Sequence, residues 1–146
     1  MAARRNSLTI LNLLIVSLSS SAADIEDSVR FIKRMPCYQL VKELTLSRCI
    51  AQISSTDKEF SLDAARTENA MCEWVASKID SGDSKINALI NSCKLKENYL
   101  YNDSGVIPGG YMMNCLRLYH SPELDKLSRT VIYANPFSTW YKNHAH

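Results

Sequence analysis

The chain of 146 residues lacks most of the features that announce a particular chemistry. It has only three histidines, His120, His144 and His146, and two of these sit at the extreme carboxy terminus, where chains fray. It has no Gly-x-Ser-x-Gly elbow, no His-Glu-x-x-His pair and no phosphate loop, so no motif supports hydrolase, metalloprotease or nucleotide chemistry. His144-x-His146 offers two metal ligands where a zinc site uses three or four. Gly109-Gly110 follows Pro108 and reads as a turn. No metal, cofactor or catalytic residue is implied, and the expectation is a protein that is not an enzyme.

Charge of one sign is also missing. Arg4 and Arg5 are the only charged residues before Asp24, so from there on the chain carries 15 basic and 15 acidic residues. A protein that works through nucleic-acid phosphates needs clustered Lys and Arg, and no such cluster exists. The single long apolar run, Leu8 to Leu18, follows Arg4 and Arg5 and precedes the small residues Ser21-Ala22-Ala23. That pattern predicts a signal peptide over residues 1–23 and an extracellular, secreted product. The serines from Ser17 onward end the run short of the roughly 20 apolar residues that a membrane span needs.

No repeat or linker divides the remainder, which is read as a helical domain over 24–120 followed by a helix and tail over 121–146. Ile25, Val29 and Ile32 predict a helix ending at Met35-Pro36, and Leu40, Val41 and Leu44 predict a second between Cys37 and Cys49. Ser54-Ser55-Thr56-Asp57 is a break of the kind that caps helices. Leu62, Ala65, Cys72, Val75 and Ile79 then place one stripe on a helix lasting to Asp80, with Gly82 as its stop and Asp83 or Ser84 capping the next. Ile86, Leu89, Ile90 and Cys93 share a face of that next helix. The stretch from Cys72 to Cys93 is thus a helical pair with a thiol at each outer end, at the centre of the reading. Tyr99 to Gly110 is a loop with a short strand at Tyr99 to Tyr101, and Asn102-Asp103-Ser104 is an N-glycosylation acceptor. Tyr111 to Tyr119 is helical, and Ser121-Pro122 starts a last helix. The fold class is all-α: a compact, disulfide-linked bundle of five or six short helices.

The cysteines, at 37, 49, 72, 93 and 115, are odd in number. In an oxidising compartment two bridges use four and leave one thiol over. The intervals between them, and Ser55-Thr56-Asp57-Lys58-Glu59-Phe60-Ser61 after Cys49, resemble the elicitins, secreted all-α lipid carriers of oomycetes. The resemblance covers residues 30 to 118 and rests on spacing, with two departures: a short first interval, and Glu68 where the family carries a tyrosine. It implies that Ser77 replaces the fourth family cysteine, that Cys37 pairs with Cys93 and Cys72 with Cys115, and that Cys49 is a free thiol.

The same resemblance implies a carrier of sterol or fatty acid in an apolar helical cavity, recognised by host plants as a defence elicitor through a host membrane or receptor. Phe60 matches the family's pocket aromatic by position. Met71, Val75, Ile79, Leu89 and Ile90 join the candidate lining from their helical faces, and Tyr111 would supply a hydroxyl. The alternative is a secreted helical effector or protein-interaction module whose helices pack solidly and leave no lipid cavity.

Overall fold

The computed structural model describes residues 26–54, 56–75, 79–94, 99–102, 105–108 and 110–144, without the side chains of 79–81 and of the two strands. The chain forms two compact units, Met1–Lys33 and Arg34–His146. In the first, residues 26–33 are helical, and Arg30 bonds Glu26 one turn away at 2.7 Å. The expected signal peptide over 1–23 lies outside the described residues.

The second unit is all-α with one small hairpin. Its helices are α1 (Cys37–Ile53), α2 (Lys58–Cys72), α3 (Ile79–Cys93), α4 (Tyr111–Tyr119), α5 (Pro122–Thr130) and the single turn α6 (Trp140–Asn143). The hairpin pairs β1 (Tyr99–Asn102) with β2 (Gly105–Pro108), antiparallel, with Tyr99 opposite Pro108 and Asn102 opposite Gly105. Asn102, the expected glycosylation acceptor, therefore closes β1.

Helix α1 is the centre of this unit. Cys37, Leu40, Val41, Leu44, Thr45, Arg48 and Cys49 are all buried, a stripe with the three- and four-residue spacing of one helix face. Along its length α1 meets α2, α3, α4 and α5. The sequence placed the centre at Cys72 to Cys93 instead. The stripe through Cys72, Val75 and Ile79 does not lie on one helix, because α2 ends at Cys72 and α3 begins at Ile79. Gly82 does not stop a helix, and neither Asp83 nor Ser84 caps one, since all three lie inside α3. Gly82 lies close to the end of α5: a Cβ at this position would stand 3.3 Å from Cβ of Val131, a tight contact that needs a shift of a few tenths of an ångström.

Two helix starts follow the sequence directly. Asp57 caps α2, its carboxylate accepting from the Phe60 N–H at 3.1 Å. Ser121 caps α5 by accepting from the Leu124 N–H at 3.1 Å, with Pro122 in the first turn. At α1 the cap position is Pro36, which makes no side-chain cap bond. The carboxy-terminal tail supplies the missing acceptors: the N–H groups of Cys37 and Tyr38 donate to the carbonyls of Ser138 and Pro136, at 2.9 and 3.0 Å. Side chains hold the tail down. Phe137 packs on Tyr38 with centroids 5.6 Å apart, and the Arg129 guanidinium lies over both rings. Trp140 meets Trp74 edge-on at 5.5 Å.

A chain ending at Asn135 should therefore uncap the central helix. Two lost hydrogen bonds at about 1 kcal/mol each predict roughly 2 kcal/mol of destabilisation. Urea unfolding of the truncated chain measures it, and an unchanged midpoint would refute the capping role.

Candidate functional site

The cysteines correct the sequence reading first. Cys49 near the end of α1 and Cys115 in the middle of α4 are both fully buried and bonded to each other, 66 residues apart in the chain. Cys49 is thus not the free thiol, and Cys72 does not pair with Cys115. The expected Cys37 to Cys93 bridge is absent too: Cys37 is buried at the start of α1 and accepts from Asn143 Nδ2 at 3.3 Å, while the Cys93 thiol donates to the Leu89 carbonyl at 3.0 Å. The packing of α1 on α4 brings Cys49 against Cys115, whereas Cys37 and Cys49 sit at opposite ends of one long helix.

The expected lipid-lining residues do not converge. Ile90 is fully buried and Met71 nearly so, whereas Phe60 at the start of α2 and Tyr111 at the start of α4 are 46% and 44% exposed. Leu89 is half-buried beside a shallow, open depression shared with Leu127 and Glu123. The side chain of Ile79 lies outside the described residues. Val75 borders a partly open cavity with Val41, Leu44, Cys72, Ile86 and Val131. Its volume is about 110 Å³, well below the roughly 300 Å³ at which ligand pockets begin. Burial, then the nearby Glu68, push the Cys72 thiol above its usual range, so this wall of the cavity carries no activated nucleophile.

Polar side chains are spent on joining helices. Arg48 on α1 is almost enclosed and reaches Glu68 on α2 at 2.6 Å, Asp83 on α3 at 2.9 Å and Asn87 on α3 at 3.2 Å. Burial disfavours its charge, but Glu68 and Asp83 outweigh that and leave its pKa raised. On the opposite side, Tyr119 donates to Glu43 at 2.5 Å and accepts from Gln39 at 2.7 Å. Lys42 meets Asp125 at 2.5 Å and lies over the Tyr119 ring. Asn114, buried on α4, donates to the Lys94 carbonyl just past the end of α3.

Burial and the Glu43 bond both raise the Tyr119 pKa. The folded state thus holds this proton more tightly than the unfolded chain. The stability so conferred is complete below pH about 10 and is lost as pH rises through the folded pKa. Tyr119→Phe should flatten that alkaline decline in a pH series of urea midpoints, and an unchanged slope above pH 10 would refute it.

Large apolar side chains stand among the charged residues of the surface, and four of them lie on one helix. Helix α4 buries Asn114, Cys115 and Leu118, yet exposes Tyr111, Met112, Met113 and Leu116 by 38 to 45% each. Met112 and Met113 lie four and three residues before Leu116, so the three adjoin on one side of the helix. Gly110, at φ 76°, takes the left-handed turn that starts α4 directly after the hairpin. No helix among the described residues is long and apolar enough to cross a membrane. Among the described residues, the site thus offers a solid helical core, a small cavity and an exposed apolar helix face.

Residues 39–128 match the model of a family described as Tai4, the type VI secretion system amidase immunity protein. The chain belongs to this family, and it is not an enzyme. It is also similar to a solved structure reported among new type VI-secreted toxins and self-resistance proteins in Serratia marcescens. The two are 58% identical, the match covers 81% of this chain and 92% of that one, and the TM-score is 0.71. No curated protein matches.

These findings overturn the elicitin resemblance and what it implied. The chain is not a carrier of sterols or fatty acids, and it is not a plant-defence elicitor or effector engaging a host membrane or receptor. Extracellular secretion falls with it. The resemblance rested on cysteine intervals, and the bridge Cys49–Cys115 shows that those intervals do not carry the elicitin pairing.

Proposed function

We propose that this chain is an immunity protein that binds and blocks an amidase toxin delivered by a type VI secretion system, in the periplasm of the cell that makes it. The family match over 39–128 carries the reading. A bacterium that exports such a toxin needs a resident protein that occupies it, and a rigid helical surface suits that task better than a cavity does. The periplasm accounts for two features together. A leader over 1–23 would take the chain there, and an oxidising compartment lets the Cys49–Cys115 bridge form and persist.

The apolar face of α4 is the contact we assign to the toxin. Large flexible methionines beside Leu116 and Tyr111 are the side chains that bury well at a protein interface. Isothermal titration of the purified protein with the amidase toxin of the same strain should give saturable binding, and expression of the protein in the periplasm should protect cells from that toxin. Absence of both would overturn the proposal. Met113→Asp with Leu116→Asp should raise Kd by about tenfold or more, the cost of removing interface anchors. Their melting temperature should fall only modestly, because Met113 and Leu116 are already 45% and 38% exposed.

A further inference from the structure

We propose that this chain requires a thiol–disulfide isomerase as a folding partner, because its bridge joins two cysteines that chain statistics rarely pair first. Cys49 and Cys115 are separated by 66 residues, and Cys72 and Cys93 lie between them. In an unfolded chain the chance of closing a loop falls with about the three-halves power of its length. On that scaling, the neighbouring pair Cys37 and Cys49 meets about thirteen times as often as the native pair. Counting every pairing of the five cysteines, only about 3% of first bridges are Cys49–Cys115.

Folding first and oxidising afterwards does not escape this. Both native sulfurs are 0% exposed, so an oxidant cannot reach them once α4 has closed on α1. The bridge must form while the chain is open, in the state where loop statistics govern the choice. Export sharpens the problem, because a chain emerging from its amino terminus presents Cys37 and Cys49 to an oxidant long before Cys115. The inference rests on the proposed periplasmic location for its cellular setting, though not for its chemistry.

One external disulfide supplies the net two-electron oxidation, and the exchange steps that follow need no further oxidant. First, two chain thiols give two electrons and two protons to an external disulfide, which leaves as two thiols, and the common product is Cys37–Cys49. An isomerase thiolate then attacks the Cys49 sulfur and expels Cys37, which takes up a proton. The Cys115 thiolate attacks the same Cys49 sulfur, forms the native bond and releases the isomerase thiolate unchanged in oxidation state. Closure of α4 on α1 then buries the product and ends further exchange. Cys72, exposed at the surface, has no path to it.

The test is refolding of the purified, reduced and denatured protein with glutathione disulfide, with or without a catalytic amount of a bacterial disulfide isomerase. Samples are acid-quenched, alkylated and mapped by peptide mass. The expected result is Cys37–Cys49 as the most abundant first bridge, the native bridge at a few per cent, and native protein formed at least tenfold faster with the isomerase. The inference is overturned if Cys49–Cys115 is the majority first bridge or if the isomerase leaves the rate unchanged. A Cys37→Ala, Cys72→Ser, Cys93→Ser variant should reach the native bridge at a rate the isomerase does not alter. Should the loss of buried Cys37 prevent folding, Cys72→Ser with Cys93→Ser retains it, and acceleration by the isomerase must persist. None of these readouts involves toxin, so failure of toxin binding and failure of this inference are separately visible.

Discussion

Replacing Cys49 and Cys115 together by alanine should lower the stability of the folded state by about 4 kcal/mol, the chain-entropy value for a loop of this size. The bridge spans 66 residues and ties the central helix α1 to α4, so its loss frees most of the helical unit in the unfolded state. Alanine is the suitable replacement because both sites are dry, and two buried serines would add a desolvation cost of their own. Urea unfolding of the variant against the bridged protein measures the difference, and a loss under 1 kcal/mol would mean that the reduced chain is already restrained. The same burial predicts that a mild reductant added to the native protein leaves the bridge intact until unfolding begins. In the cell, loss of the bridge should lower the amount of immunity protein and thereby protection, with no change at the α4 face itself.

The second large effect is expected at Arg48. Its guanidinium joins three helices, and truncating it would leave Glu68, itself largely enclosed, without its cation. Breaking a buried pair from one side costs about 3 kcal/mol or more, because the remaining charge stays desolvated. Arg48→Met keeps the length of the stem and removes the charge, so the loss should reach about 3 kcal/mol in urea unfolding. Glu68→Gln should cost less, since Asp83 and Asn87 still receive the guanidinium. A double replacement, Arg48→Met with Glu68→Met, should recover part of the single-variant loss. If Arg48→Met alone proves neutral, the three-helix junction is held by its apolar contacts and not by this network.

Much of the fold is legible in particular residues. The spacing of Leu40, Val41 and Leu44 marks a helix, and that helix exists with its buried stripe extended to Arg48 and Cys49. Asp57 and Ser121-Pro122 mark helix starts, because a capping side chain acts on N–H groups two or three residues away and needs nothing distant. The break between α2 and α3 was not legible. Cys72, Val75 and Ile79 have helical spacing, but the chain leaves the helix after Cys72, and Trp74 packs its ring against Trp140 from the far end of the sequence. The tail likewise gives no local sign that its carbonyls cap α1.

The proposed contact surface was the least legible part. Tyr111, Met112, Met113 and Leu116 look like core residues in a sequence, and only the packing of Asn114, Cys115 and Leu118 inward shows that they face out. A protein interface has no fixed spacing of reactive groups, so there is no motif to find. The elicitin resemblance filled that gap with cysteine intervals, and the family match removed it.

By itself the sequence determined the properties that depend on near neighbours: helical class, the capped helix starts and an odd number of thiols. Only the tertiary structure decided which cysteines meet, which helix is central and which apolar side chains are left in solvent. Five cysteines allow many pairings of comparable local sense, and the choice among them is made by α1 lying against α4. That packing is a sum of contacts between residues tens of positions apart, a quantity that no window of the sequence contains.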